Sequence, residues 1–304
     1  EVIHFLSTLS LHCFTNEYVY SETEEEVALI SGLEAAIAES LSQASQPTIT
    51  ETLILATYRP LHQYDWSEKL HVLDQLPEVK QRLVEEPFTE RAIAKNIPAL
   101  SRVDDDVSRK VREQYEESPY PRWVKLAIAT KVKSVAEVCS DSKLQLHSED
   151  IKRVFSPSIL IAGCGTGQHS IETASRFANC EVTAVDLSRA SLAYAQRKTS
   201  ELGITNVEYL QADILNLDEL GQEFDIIESS GVLHHMDDPM AGWRVLVDLL
   251  KNDGLMKIGL YSELARRHIV KTRGEIETQG TGTSEDAIRQ FRQLLVESHE
   301  KHHQ

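Results

Sequence analysis

The sequence predicts an open α/β fold: a parallel sheet with helices on both faces, preceded by a mostly α-helical N-terminal region. Two observations lead there. Residues 159–167 read ILIAGCGTG, an apolar run of the kind buried on both faces of a sheet, ending in alternate glycines. Downstream, further apolar runs alternate with helix-periodic segments, the pattern of successive βαβ units. The glycines let the backbone turn sharply and let a ligand approach where a Cβ would block it. Ligands of open α/β sheets bind at the carboxyl ends of the strands, so this segment proposes a fold and a site together. The spacing is GxGxG. The dinucleotide fingerprint GxGxxG would need glycine where Gln168 stands.

The elements follow in order. Residues 170–178 read as a helix with Ile171, Ala174, Phe177 and Ala178 on one face. A second strand, 182–185, ends on Asp186. Ser188 caps the next helix, with Leu192, Ala193 and Ala195 apolar. The third strand, 207–212, ends on Asp213, and the fourth, 224–229, runs into Ser230 and Gly231. A helix at 241–250 and a fifth strand at 255–260 complete the series. Right-handed crossovers bring the strand ends to one crevice. Asp186, after the second strand, suits a ribose diol, since a charged acceptor makes the stronger hydrogen bonds. Asp213, at the next tip, can accept from an adenine amino group. Acids also end strands simply as turn formers. Two of them at successive tips behind a glycine loop favour the site.

Taken together, IAGCGTGQHS, AVDLS, QADIL and SSGVLHHMDDP resemble the class I S-adenosylmethionine-dependent methyltransferases over 158–261. The resemblance implies a Rossmann-like sheet and S-adenosyl-L-methionine as cofactor. It implies that Gly163, Cys164, Gly165 and Gly167 skirt the methionine half. Asp186 would hold the ribose hydroxyls, with Leu187 against the adenine and Asp213 and Ile214 framing its amino edge. Ser230, Gly231 and the residues through His234 would face the transferred methyl. One position departs from the pattern: Ala162 stands where many members carry Asp or Glu. The segments CFTNEYVYSETEEE at 13–26 and YEESPYPRW at 115–123 are similar to bacterial methyltransferases associated with tetratricopeptide repeats, although no such repeat is visible here.

A sulfonium methyl is already electrophilic, so no metal is expected. The task is to align nucleophile, methyl and sulfur, where orientation is worth roughly 7–11 kcal/mol. If a base is needed, His234 and then His235 are the candidates by position. In the proline segment, Pro119 and Pro121 make a stiff lid. Tyr120 can cover the sulfonium and Arg122 can meet the cofactor carboxylate. The same segment also reads as a connector anchored by Trp123.

With 48 acidic and 31 basic residues, the formal net charge is −17. That field disfavours nucleic acid and acidic membrane surfaces as partners. Cys13, Cys139, Cys164 and Cys180 show no CxxC pairing, which fits reduced thiols and a cytoplasmic setting. No apolar run approaches the roughly 20 residues of a membrane span. The chain opens on Glu1, without Met or a basic leader, which points to a fragment of a longer protein.

Residues 1–110 read as a helical N-terminal domain, opened by a Thr23–Glu26 capping box. Shorter helices at 52–58, 66–73, 77–84 and 90–97 are expected to break at Pro60, Pro77, Pro87 and Pro98. Residues 111–150 read as a lid helix over 123–138 plus a polar linker, 151–262 as the cofactor-binding core, and 263–304 as a tail with one helix at 285–297. The last two strands of the family sheet are not evident, so a partner or a missing segment is expected at the fifth-strand edge. His299, Glu300 and His303 fit HExxH, the zinc-protease pattern, but a chain terminus is a poor place for it. The functional expectation is methyl transfer to a small-molecule or protein acceptor. The alternative is a catalytically silent cofactor-binding module whose helical domain recruits a partner.

Overall fold

A computed structural model describes residues 1–100, 105–280, 282 and 284–298. The chain forms two compact units, one of Glu1–Phe88 with Ser262–Gln304, the other of Thr89–Tyr261. The sequence analysis carries its first domain to residue 110 and keeps 263–304 separate.

The helical unit begins with α1 (Val2–Thr15), α2 (Glu24–Ser42) and α3 (Ile49–Tyr58). The Thr23–Glu26 capping box forms at the head of α2, and a second box, Thr48–Glu51, opens α3. Leu53, Leu55, Leu61, Leu73 and Leu83 are wholly buried in its core, each worth about 1.5–3 kcal/mol. Two expectations fail here. Residues 66–73 make short 3₁₀ turns at Ser67–Lys69 and His71–Gln75 rather than a helix. Pro87 does not break its helix: α4 (Pro77–Lys80) passes through a π turn at Gln81–Glu85 into α5 (Glu86–Ala94). The shifted hydrogen-bond register of a π turn accommodates a residue with no N–H to donate.

The second unit is a five-stranded, all-parallel sheet. Its strands are β1 (Ser158–Ala162), β2 (Glu181–Asp186), β3 (Val207–Gln211), β4 (Phe224–Ser230) and β5 (Leu250–Gly259), in the order β3-β2-β1-β4-β5. The order reverses between β1 and β4, where two neighbouring strand ends leave a crevice. Ile159, Leu160, Ile161 and Ala162 are all fully buried, because helices cover both faces. The free side of β3 is partly covered by 98–100: Leu100 N donates to Gln211 O and Gln211 N to Pro98 O, each at 2.9 Å. β5 is the other edge, and no strand follows it among the described residues.

Around the sheet lie α6 (Asp106–Glu117), α7 (Val135–Asp141), α8 (Gln168–Arg176), α9 (Arg189–Glu201) and α10 (Pro239–Asp248). The helix expected over 123–138 is absent before Val135. The stretch ahead of it bonds outward instead. Trp123 Nε1 donates to Thr166 O at 2.9 Å, Lys133 N to Arg176 O at 2.8 Å, and Ala178 N to Lys133 O at 2.9 Å. Those partners replace an internal helical ladder.

The chain then returns to the helical unit through α11 (Arg267–Gln279) and α12 (Glu285–Glu297). The sequence analysis places one helix in this tail, at 285–297, and α11 is a second. In α12, Gln293 accepts from Ser21 Oγ at 3.1 Å, and Arg289 lies 3.8 Å from Glu22, itself paired with Arg59. No described helix is long and apolar enough to cross a membrane. The HExxH pattern at 299–303 lies outside the described residues.

Candidate active site

A cavity of about 590 Å³ opens at the carboxyl ends of the strands, within the size range of small-molecule and cofactor sites. Its floor is the glycine loop between β1 and α8. Gly163 N and Cys164 N both donate to Val185 O at 2.9 Å, tying the loop to β2. Gly163, Gly165 and Gly167 all have positive φ, at +78°, +51° and +87°. Their surroundings differ. A Cβ on Gly165 would meet nothing closer than Tyr120 O at 3.8 Å, so that glycine faces open space. A Cβ on Gly167 would fall 2.5 Å from Ala195 Cβ on α9. Gly167 is therefore a packing glycine, and it does not line the cavity. It takes the close-packing role that the third glycine has in GxGxxG, one residue earlier.

Asp186 ends β2 and holds the loop by its side chain. Oδ2 accepts from Gly165 N at 2.8 Å and Oδ1 from Ser188 N at 3.0 Å. Burial raises its pKa, opposed by these hydrogen bonds. Asp213 lies at the adjacent tip, since Ala212 N donates to Asp186 O at 3.0 Å. It is 3% exposed, and its Oδ1 accepts from Leu215 N, capping the following turn. Both acids line the cavity with Leu187 and Ile214.

The proline segment seals one side. Pro121 O accepts from Thr166 Oγ1 at 2.8 Å, and the buried Trp123 packs with Ile171 and Tyr194. Tyr120 is 68% exposed and lines the cavity. Arg122 points elsewhere, 3.8 Å from the buried Glu90, which Arg197 also holds at 2.7 Å. Arg122, expected at the cofactor carboxylate, is not among the cavity-lining residues and lies beside this buried carboxylate instead. The two candidate histidines are placed differently. Leu233 turns into the core at 1% exposure. His235 lines the cavity, whereas His234 does not; the His234 ring lies 4.2 Å from those of both His235 and Tyr261. Ser230 and Gly231 line the wall as expected.

Sequence reasoning missed two parts of the site. One is α6, whose Val107 and Val111 face the cavity at four-residue spacing ahead of Tyr115, the first residue of the segment already singled out. That spacing, behind Asp105 as N-cap, was the available signal. Glu116 then accepts from Arg189 N at 2.7 Å and Ala190 N at 3.1 Å, docking α6 on the start of α9. The other is a polar wall of His169, Glu172, Lys257 and Tyr261. Behind it lies Glu228 on β4, 4% exposed. Burial pushes its pKa up, but His169, Arg176 and Lys257 outweigh that and bring it to about 2. Nothing local in the sequence marks this group.

A glycine loop and two strand-tip acids around one crevice are the ligand site of a Rossmann-like α/β domain. Residues 159–254 match the methyltransferase domain family. The chain is 37% identical over 114 residues to an uncharacterized protein of Synechococcus, a match covering 37% of this chain and 27% of that protein. It is 32% identical over 113 residues to the (S)-coclaurine N-methyltransferase of Papaver somniferum, covering 37% and 32% respectively. These matches therefore span about a third or less of each curated relative. Among solved structures, a Rickettsia typhi protein, PKMT2 in complex with AdoHcy, is 25% identical, with a TM-score of 0.40 over 49% of this chain and 31% of that one. Over residues 159–254 the chain is therefore similar to methyltransferase domains.

Proposed function

We propose that the chain binds S-adenosylmethionine in this cavity and transfers its methyl group in line to a small-molecule or protein acceptor. The single supporting observation is the clasp of the glycine loop by Asp186, with Asp213 at the next strand tip. The bound cofactor supplies an activated methyl on a neutral leaving group, which needs no metal. The protein's share is position. Gly163, Cys164 and Gly165 run beside the methionine half, and Gly167 supports them from behind. Asp186 keeps lone pairs for the ribose diol after serving Gly165 and Ser188. Leu187 and Ile214 flank the adenine, and Asp213 meets its amino edge. Ser230, Gly231, His235 and Tyr120 border the transferred methyl.

The domain division into a helical part, a lid and a core belongs to the same proposal. So does a kinship with methyltransferases associated with tetratricopeptide repeats, for which segments 13–26 and 115–123 speak. The net charge of −17 argues against nucleic acid as the acceptor.

Isothermal titration with S-adenosylmethionine and with NAD tests the reading. Binding of the first and not the second is expected. Asp186→Ala should weaken S-adenosylmethionine at least tenfold, since hydrogen bonds to a charged group are worth about 1.5–3 kcal/mol each. Retained affinity in that variant, or NAD binding alone, would overturn the proposal.

A further inference from the structure

We infer that His169, held by Glu228, is a proton acceptor for the methyl acceptor, so that the site takes a nucleophile bearing a proton, an O–H or N–H group. The inference rests on the cofactor reading above. His169 lies on the first turn of α8, two residues after the glycine loop, and lines the same cavity as Ser230 and Tyr261. Its Nε2 is 2.5 Å from Glu228 Oε2. The carboxylate is fixed in turn by Thr173 Oγ1 at 3.0 Å and by Arg176 Nη2 at 2.9 Å. A base oriented by a third group is the arrangement that general-base chemistry uses.

The tautomer follows from the partner. An ionised carboxylate only accepts, so Nε2 carries the hydrogen, and in the neutral ring Nδ1 keeps its lone pair. Proton exchange with a ligand therefore falls to Nδ1. In the transfer, the acceptor's O–H or N–H bond breaks, its proton goes to Nδ1, and its electron pair bonds the methyl carbon. The carbon–sulfur pair leaves with sulfur as S-adenosylhomocysteine, and Glu228 offsets the new imidazolium charge. Glu228 touches no ligand and is a positioning residue. The other charged groups facing the pair are Arg176 and Glu172 on α8 and Lys257 on β5, the last 3.8 Å from Glu228. Tyr120 and Tyr261 complete the surroundings.

The test uses the full chain saturated with S-adenosylhomocysteine, with 4-nitrophenol as a probe whose deprotonation is visible. At a pH about one unit below the probe's own pKa, added protein should raise the nitrophenolate absorbance at least threefold. His169→Gln should abolish the rise and Glu228→Gln reduce it about tenfold. Both variants should bind S-adenosylhomocysteine within threefold of the wild type by calorimetry. Separately, histidine ¹⁵N spectra of the cofactor-free protein should show neutral His169 protonated on Nε2, and Glu228→Gln should erase that preference. No absorbance rise with wild-type protein, an equal rise with His169→Gln, or a proton on Nδ1 overturns the inference. Failure of the wild type to bind S-adenosylhomocysteine overturns the cofactor reading instead, while the tautomer still judges the pair.

Discussion

Two alanine substitutions separated by a single residue in the glycine loop, at Gly165 and Gly167, should have opposite consequences. Gly167→Ala forces an L side chain into a left-handed conformation at φ +87°, at about 1–2 kcal/mol. Its Cβ also arrives 2.5 Å from Ala195 Cβ, 3.0 Å from Ala195 Cα and 3.1 Å from the Tyr209 hydroxyl. Two of those atoms belong to the α9 backbone or its first carbon, which cannot rotate away. Overpacking of this kind costs about 1–3 kcal/mol. The sum, about 2–5 kcal/mol, is a large part of a typical stability of about 5–15 kcal/mol. Gly165→Ala carries only the first cost, because its Cβ meets open cavity. Urea denaturation of the cofactor-free chain should separate the variants by about 1–3 kcal/mol. Titration with S-adenosylhomocysteine should reverse the order. Gly165→Ala, with a methyl in the ligand space, should weaken binding at least tenfold, whereas folded Gly167→Ala should stay within threefold. Equal stabilities, or the greater loss of affinity in Gly167→Ala, would refute the division of labour between the two glycines.

Other outcomes follow from the charged groups. Arg122→Ala should leave cofactor affinity within twofold and cost at most about 1 kcal/mol, because Glu90 keeps Arg197 at 2.7 Å; a tenfold loss of affinity would return Arg122 to the ligand. Glu228 has its pKa lowered from 4.5 to about 2. It therefore contributes stability that is complete above about pH 4.5 and is lost as pH falls toward 2, at most about 3 kcal/mol. Denaturation midpoints of Glu228→Gln should accordingly fall less steeply than those of the wild type between pH 5 and 2, and parallel curves would refute this.

How far the sequence could be read depended on how local each determinant is. β1 was legible because burial on both faces leaves a continuous apolar run. Asp186 and Asp213 were legible because each directly follows its strand. The Thr23–Glu26 box and α12 were legible because caps and helical periodicity act within a few residues. The stretch 123–134 misled because its apolar residues resemble a helix, while its hydrogen-bond partners, Thr166, Arg176 and Ala178, lie some forty residues on.

Chain chemistry alone determined the class of the domain, the glycine loop and the two acids that meet at its crevice, since those arise from neighbours in sequence. Which side chains face the cavity was decided only by tertiary structure. Glu90 holds Arg122 beside it and also binds Arg197, 107 residues away. Glu228 and His169, 59 apart, meet only because α8 packs across β4. A buried charge takes the partner that folding brings within reach, and linear spacing holds no record of that choice.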